Sequence, residues 1–224
     1  MTMNNELKLV IFDWDGTVMD SVAKIVDSMQ IAARREGLSV PSVQAVKDII
    51  GLSLAPALKQ LFGELNQQQV DDMALFYKEA YLALDKKPSA LFDGIVDVFD
   101  SLKNRNIKIA VATGKSRVGL NRLIEQTGLG HFFCDSMTAD EAESKPHPQM
   151  IDDIVDRQGV DKSQVVMVGD SILDLTMANN AGVKALGVSY GAHDKAKLLT
   201  REPMAVVDKA AELLDYLDAK PIVA

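Results

Sequence analysis

A chain of 224 residues, 47% apolar and 25% charged, is long enough for one large domain or a domain with an insertion, and its balance is that of a globular protein. Its formal net charge of -8 disfavours nonspecific attraction to nucleic acid or to an anionic membrane. The single cysteine, Cys134, excludes an intramolecular disulfide, no apolar run is long enough to span a bilayer and the N-terminal stretch lacks a secretory pattern, so a soluble, cytoplasmic protein is expected.

The first predicted element is a strand over residues 9–12, because Leu9, Val10, Ile11 and Phe12 form the unbroken apolar run of a parallel strand covered on both faces. Asp13 and Asp15 follow at once, and Gly16 and Thr17 turn the chain. A strand ending in Asp-x-Asp places both acids at the carboxyl edge, where open α/β sheets bind ligands. Extended geometry sends alternate side chains to opposite faces, so a loop must begin between the two acids if both serve one site. Acids this close repel each other unless a cation or a shared proton compensates. Taken alone, the same residues also fit a strand closed by an Asx-turn.

Asp20 and Ser21 can cap a helix that reaches Glu36 and stops at Gly37. Over residues 43–84 only helical spacing is found: Leu54, Leu58, Leu61 and Phe62 share one face, and Val70, Met73, Ala74 and Tyr77 another. Gly51 interrupts this series, and Lys86, Lys87 and Pro88 end it. Residues 18–87 are therefore read as an all-helical insertion, and residues 1–17 with 88–224 as a discontinuous α/β core.

After a helix over 94–104, strands resume at 107–112 and continue at 132–134, 165–168, 183–189 and 205–207. Helices over 116–127, over 149–158 and after 207 separate them. Such alternation predicts a Rossmann-like parallel sheet with right-handed crossovers and helices on both faces. The second strand ends in Thr113, Gly114 and Lys115, the fourth in Gly169 and Asp170, with Asp174 four residues on. Lys145 and Pro146 lie in a loop before a helix. The fold can gather all of these beside Asp13 and Asp15. Thr113 offers a hydroxyl, the amides after it an anion-binding concavity, Lys145 a fixed positive charge, and Asp170 a third carboxylate for an oxygen-rich Mg²⁺ site.

Each residue also has a plainer reading. Thr113 fits a helix N-cap, Lys145 a solvated loop lysine, and Asp170 with Asp174 the start of a helix. For Lys115 and Arg117, an approach to substrate and an ordinary helix surface stand equally open. His131, His147 and His193 lack ligand spacing, and Trp14 is expected to point into packing.

The ordered set Asp13-x-Asp15-Gly16-Thr17, the apolar strand ending in Thr113, Lys145-Pro146 and Gly169-Asp170 with Asp174 resembles the haloacid dehalogenase superfamily across the whole chain. Within it, the likeness is to the phosphoglycolate phosphatase-like and β-phosphoglucomutase-like branch, whose helical cap follows the first motif. The resemblance implies Asp13 as nucleophile forming an aspartyl-phosphate, and Asp15 as the acid and then the base. It implies Mg²⁺ held by the Asp13 carboxylate, the Asp15 backbone carbonyl and Asp170, with Thr113, Gly114 and Lys145 on the phosphoryl oxygens. Asp174 would support the metal shell or Lys145. The activity implied is hydrolysis of a small phosphate monoester, phosphoglycolate-like or a sugar phosphate, with a phosphosugar mutase as the alternative. A dehalogenase lacks the second acid, which is present here as Asp15. By the same analogy the apolar loop Gly51-Leu52-Ser53 faces the core site and hints at a small substrate.

Overall fold

The computed structural model describes residues 6–85 and 89–217, so the expected helix stop at Lys86, Lys87 and Pro88, and the 87/88 boundary with it, lie outside the described residues. In chain order the elements are β1 (Leu9–Phe12), α1 (Val22–Glu36), α2 (Val43–Lys47), α3 (Leu54–Phe62), α4 (Gln67–Leu84), α5 (Ile95–Asn104), β2 (Lys108–Ala112) and α6 (Arg117–Thr127). They continue with β3 (Phe133–Met137), α7 (Gln149–Gln158), β4 (Val165–Gly169), α8 (Ile172–Ala181), β5 (Lys184–Val188), α9 (Lys195–Leu199), β6 (Ala205–Val207) and α10 (Leu214–Leu217).

The strands form one parallel sheet in the order β3-β2-β1-β4-β5-β6, with β1 at its centre. Strand alternation divides the core in two. Val10 and Phe12 of β1 face one side, where Val98, Phe99 and Leu102 of α5 and Leu120 of α6 cover them. Leu9 and Ile11 face the other, under Met150 and Ile154 of α7 and Leu175 of α8. Phe12 and Phe99 meet edge to face with ring centres 5.1 Å apart. Burying a side chain of this size contributes about 1.5–3 kcal/mol, so β1 is strongly pinned.

Between β1 and α5 the described residues hold helices and no strand of the sheet; Met19 makes only isolated bridges to Asp15 and Leu91. These helices bury an apolar cluster of their own, with Val26, Met29 and Ala33 of α1 against Val46, Leu58 and Met73. Gly37 ends α1 in the left-handed conformation, as expected. Ser21 stands at the N-cap of α1 but makes no capping hydrogen bond, because its hydroxyl is directed elsewhere.

One strand boundary and one short helix differ from expectation. β3 runs over Phe133–Met137, not 132–134: the polar pair Asp135 and Ser136 obscures it, yet an edge strand tolerates them, and Arg157 pairs with Asp135. The helix α9 carries too little apolar periodicity to be read from five residues. Trp14 is buried in the core against Phe133, as expected.

Candidate active site

β1 is in register with both neighbours, Phe12 lying opposite Val111 of β2 and Val168 of β4. The residues just beyond these strands, Asp13, Thr113 and Asp170, therefore emerge at one edge of the sheet. The Asp13 amide still donates to the Val168 carbonyl at 2.9 Å, and the chain turns only after it. Gly16 makes that turn with φ of 78°, and a Cβ there would stand 2.0 Å from Asp170 Oδ2. Only glycine fits both the dihedral and the close approach.

Asp13, Asp170 and Asp174 bring one carboxylate oxygen each to within 4.8 Å of one another, all buried. The Lys145 ammonium lies among them, donating to Asp13 Oδ1 at 2.7 Å and to Asp174 Oδ1 at 2.6 Å. Asp174 is oriented further by the Ser171 amide and hydroxyl, at 3.1 and 2.6 Å. Asp170 accepts from Thr17 Oγ1 at 3.3 Å and from the Ala192 amide at 2.6 Å. Burial pushes the Asp13 carboxyl up to about 7, against the pull of Lys145 and with the push of Asp174. Burial, then Asp13 and Asp174, likewise hold the Asp170 carboxyl well above the usual range. Burial alone would lower Lys145, but the neighbouring carboxylates outweigh it and keep the ammonium charged. Three acids against one lysine can be ionised together only if a further cation joins them. An oxygen-only donor set of this kind fits a hard divalent cation.

The Asp15 carboxylate stands outside this cluster. Its Oδ1 accepts from Ser21 Oγ, and Lys115 Nζ lies 3.0 Å from its Oδ2. Thr113 is fully buried, its amide held by the Met137 carbonyl at 3.0 Å, and its hydroxyl accepts from the Lys115 amide at 3.3 Å. The helical layer reaches down at this point: a Cβ on Gly114 would stand 2.6 Å from the Gly51 carbonyl and 2.8 Å from that of Leu52. Glycine is needed here for the close approach. The Ser53 amide donates to Ser144 Oγ at 2.9 Å, beside Lys145. The loop 51–53 thus faces the core site.

A cavity of about 590 Å³ opens between the layers, with Asp13, Asp15, Thr113 and Gly114 at its floor. Of the two cations left open by the sequence, Lys115 lines it, whereas Arg117 turns to Glu141 and Ser136. Lys145, Asp170 and Asp174 meet Asp13 from below. His131 and His147 are exposed, while His193 is buried and accepts from the Ile172 amide. Sequence reasoning assigned no site role to Ser21, Thr17, Ala192, Tyr77 or Tyr81. Ser21 reads as a cap and Ala192 contributes only its amide, so neither carries a local signal.

The Haloacid dehalogenase-like hydrolase family matches residues 10–188. "Probable phosphatase IndB" of Dickeya dadantii is 34% identical, with 92% of this chain and 91% of that protein covered. A phosphoglycolate phosphatase of Agrobacterium fabrum is 30% identical, covering 98% of this chain and 96% of its own. A hydrolase from Pseudomonas syringae superposes with a TM-score of 0.87 over 97% of this chain and all of its own, at 24% identity, which speaks for the fold alone.

Proposed function

The chain belongs to the haloacid dehalogenase-like hydrolases, and on that premise we propose that it is a Mg²⁺-dependent phosphatase of a small phosphorylated metabolite. The observation that carries this reading is the buried contact of Lys145 with Asp13 beside Asp170 at the carboxyl edge of the central strand. Asp13 is the nucleophile: its carboxylate attacks phosphorus and the alcohol leaves, giving an aspartyl-phosphate. Asp15, held by Ser21 and Lys115, gives its proton to the departing oxygen and then takes one from the water that hydrolyses the intermediate. Thr113, the Gly114 amide and Lys145 steady the phosphoryl oxygens as charge shifts onto them.

Asp13, Asp170 and the Asp15 backbone carbonyl would hold Mg²⁺, with Asp174 orienting Lys145. The ion supplies charge neutralisation between an anionic nucleophile and an anionic phosphate. The crowding of three buried carboxyl groups around one ammonium, that of Lys145, supports this, since a divalent cation would relieve it. Residues 18–87 act as a cap over a core of 1–17 and 88–224, and the loop 51–53 closes on the site. A mutase must hold a second phosphate in the cavity, where Lys115 is paired with Asp15, Arg122 with Asp85, and Lys78 stands exposed. That favours hydrolysis. The test is release of inorganic phosphate from a panel of monoesters with Mg²⁺; no release from any ester would overturn the reading.

A further inference from the structure

The part of the cavity beyond the acids is built from carbon. Ile25 and Met29 of α1, Ile49 and Leu52 of the loop above the site, and the rings of Tyr77 and Tyr81 of α4 form its walls. The tyrosine ring centres lie 6.1 Å apart, and both hydroxyls are held protonated by burial. The charged side chains on the lining are spoken for or lie in water. Lys115 is paired with Asp15 and sits over the Tyr81 ring, Arg122 is paired with Asp85, and Lys78 is exposed. A volume of about 590 Å³ lies within the range of roughly 300–1,000 Å³ that holds drug-sized ligands. The two-carbon group of phosphoglycolate would leave most of this space empty.

Resting on the phosphatase reading, we propose that the leaving group is a bulky, apolar alcohol of aromatic-ring size, and that phosphoglycolate and sugar phosphates are poor substrates. The carboxylate of phosphoglycolate would lose its water against aliphatic walls where the nearest cations, Lys115 and Arg122, are already paired, and sugar hydroxyls would lose hydrogen bonds in the same way. An apolar ring instead gains by leaving water, and it can lie against Ile25, Met29 and the Tyr77 ring. Most of these walls come from the helical layer, facing Val118 of α6 on the core, so they enclose the ester only while that layer is closed. Discrimination therefore falls on kcat/KM.

Phosphate release from phenethyl and hexyl phosphates is to be compared with that from ethyl phosphate, glycerol phosphate and phosphoglycolate, all unactivated so that leaving-group acidity does not set the order. We expect the bulky apolar esters to lead in kcat/KM on the order of tenfold or more. Ala74→Phe, which fills the cavity from α4, should shrink the ratio of phenethyl to ethyl phosphate by a similar factor. Should that variant fail to fold, the wild-type ranking decides alone. Phosphoglycolate or glycerol phosphate at the head of the ranking would overturn the proposal and leave the phosphatase intact. Release from none of the esters would remove the phosphatase reading, and the proposal with it.

Discussion

Asp13 and Lys145 are each the other's condition for being buried with charge. Asp13→Asn keeps the volume and a hydrogen-bond acceptor for the Lys145 ammonium, so the fold should survive. Turnover should fall by roughly 10⁴-fold or more, the scale of losing a nucleophile. Substantial hydrolysis by a folded Asp13→Asn protein would take Asp13 out of that role. Lys145→Ala is a different experiment, because it leaves Asp13, Asp170 and Asp174 together with no internal cation. Breaking a buried pair in this way costs about 3–5 kcal/mol. Urea unfolding should show a loss of that size in metal-free protein and a smaller one with saturating Mg²⁺. An equal loss in both conditions would show that no divalent cation compensates the same carboxylates.

At the scale of elements, the helical layer is tied to the sheet at separate points. Asp85, at the end of α4 and buried, accepts from Lys24 of α1 and from Arg122 of α6. Asp48, just after α2, takes Lys197 Nζ at 2.6 Å and His193 Nε2 at 3.2 Å. Burial alone would raise the Asp85 carboxyl, but the hydrogen bonds from Lys24 and Arg122 outweigh it and hold it below its ordinary value. An acid depressed on folding stabilises the protein above its unfolded pKa, and that stability is lost as pH falls through the folded value. Asp85→Asn should therefore cost about 1–2 kcal/mol at neutral pH, and the gap to wild type should close in acid, below the ordinary carboxylate range. Thermal melts across pH check this; a gap that persists unchanged in acid would mean that charge is not what Asp85 contributes. In the loop 51–53, Leu52→Ala should reorder the esters by kcat/KM while leaving the Mg²⁺ requirement in place, because Leu52 touches the cavity and not the carboxylates. Equal loss toward every ester would make this loop part of the catalytic machinery.

For the whole molecule, the proposed reading assigns chemistry to the sheet edge and discrimination to the helices above it. The floor of the cavity carries the acids and its walls are apolar, so closure would expel water from the site of attack and strengthen every charge interaction there. Removing divalent cations with a chelator should abolish phosphate release, and added Mg²⁺ should restore it. Full activity after exhaustive chelation would point to metal-free, dehalogenase-like chemistry.

Three features are legible in the order of residues alone: the central strand, the alternation that makes the sheet parallel, and the gathering of Asp13, Thr113 and Asp170 at one edge. Each follows from a local pattern: an apolar run says strand, a polar residue after it says strand end, and parallel connection puts all such ends on one side. What surrounds those residues is set by how distant parts of the chain pack together. Ser21 reads as a helix cap until the turn at Gly16 brings it to Asp15, and the Ala192 amide on Asp170 has no side chain to announce it. β3 hid its register behind Asp135 and Ser136, whose polarity the sheet edge and Arg157 accommodate. The cavity walls come from residues as far apart in the chain as Ile25, Leu52, Tyr81 and Val118, so no window of sequence contains them. The loop alone hinted at a small substrate, but the size and apolarity of a cavity belong to the packing of whole elements. They exist only once α1, α4 and α6 face one another across the site.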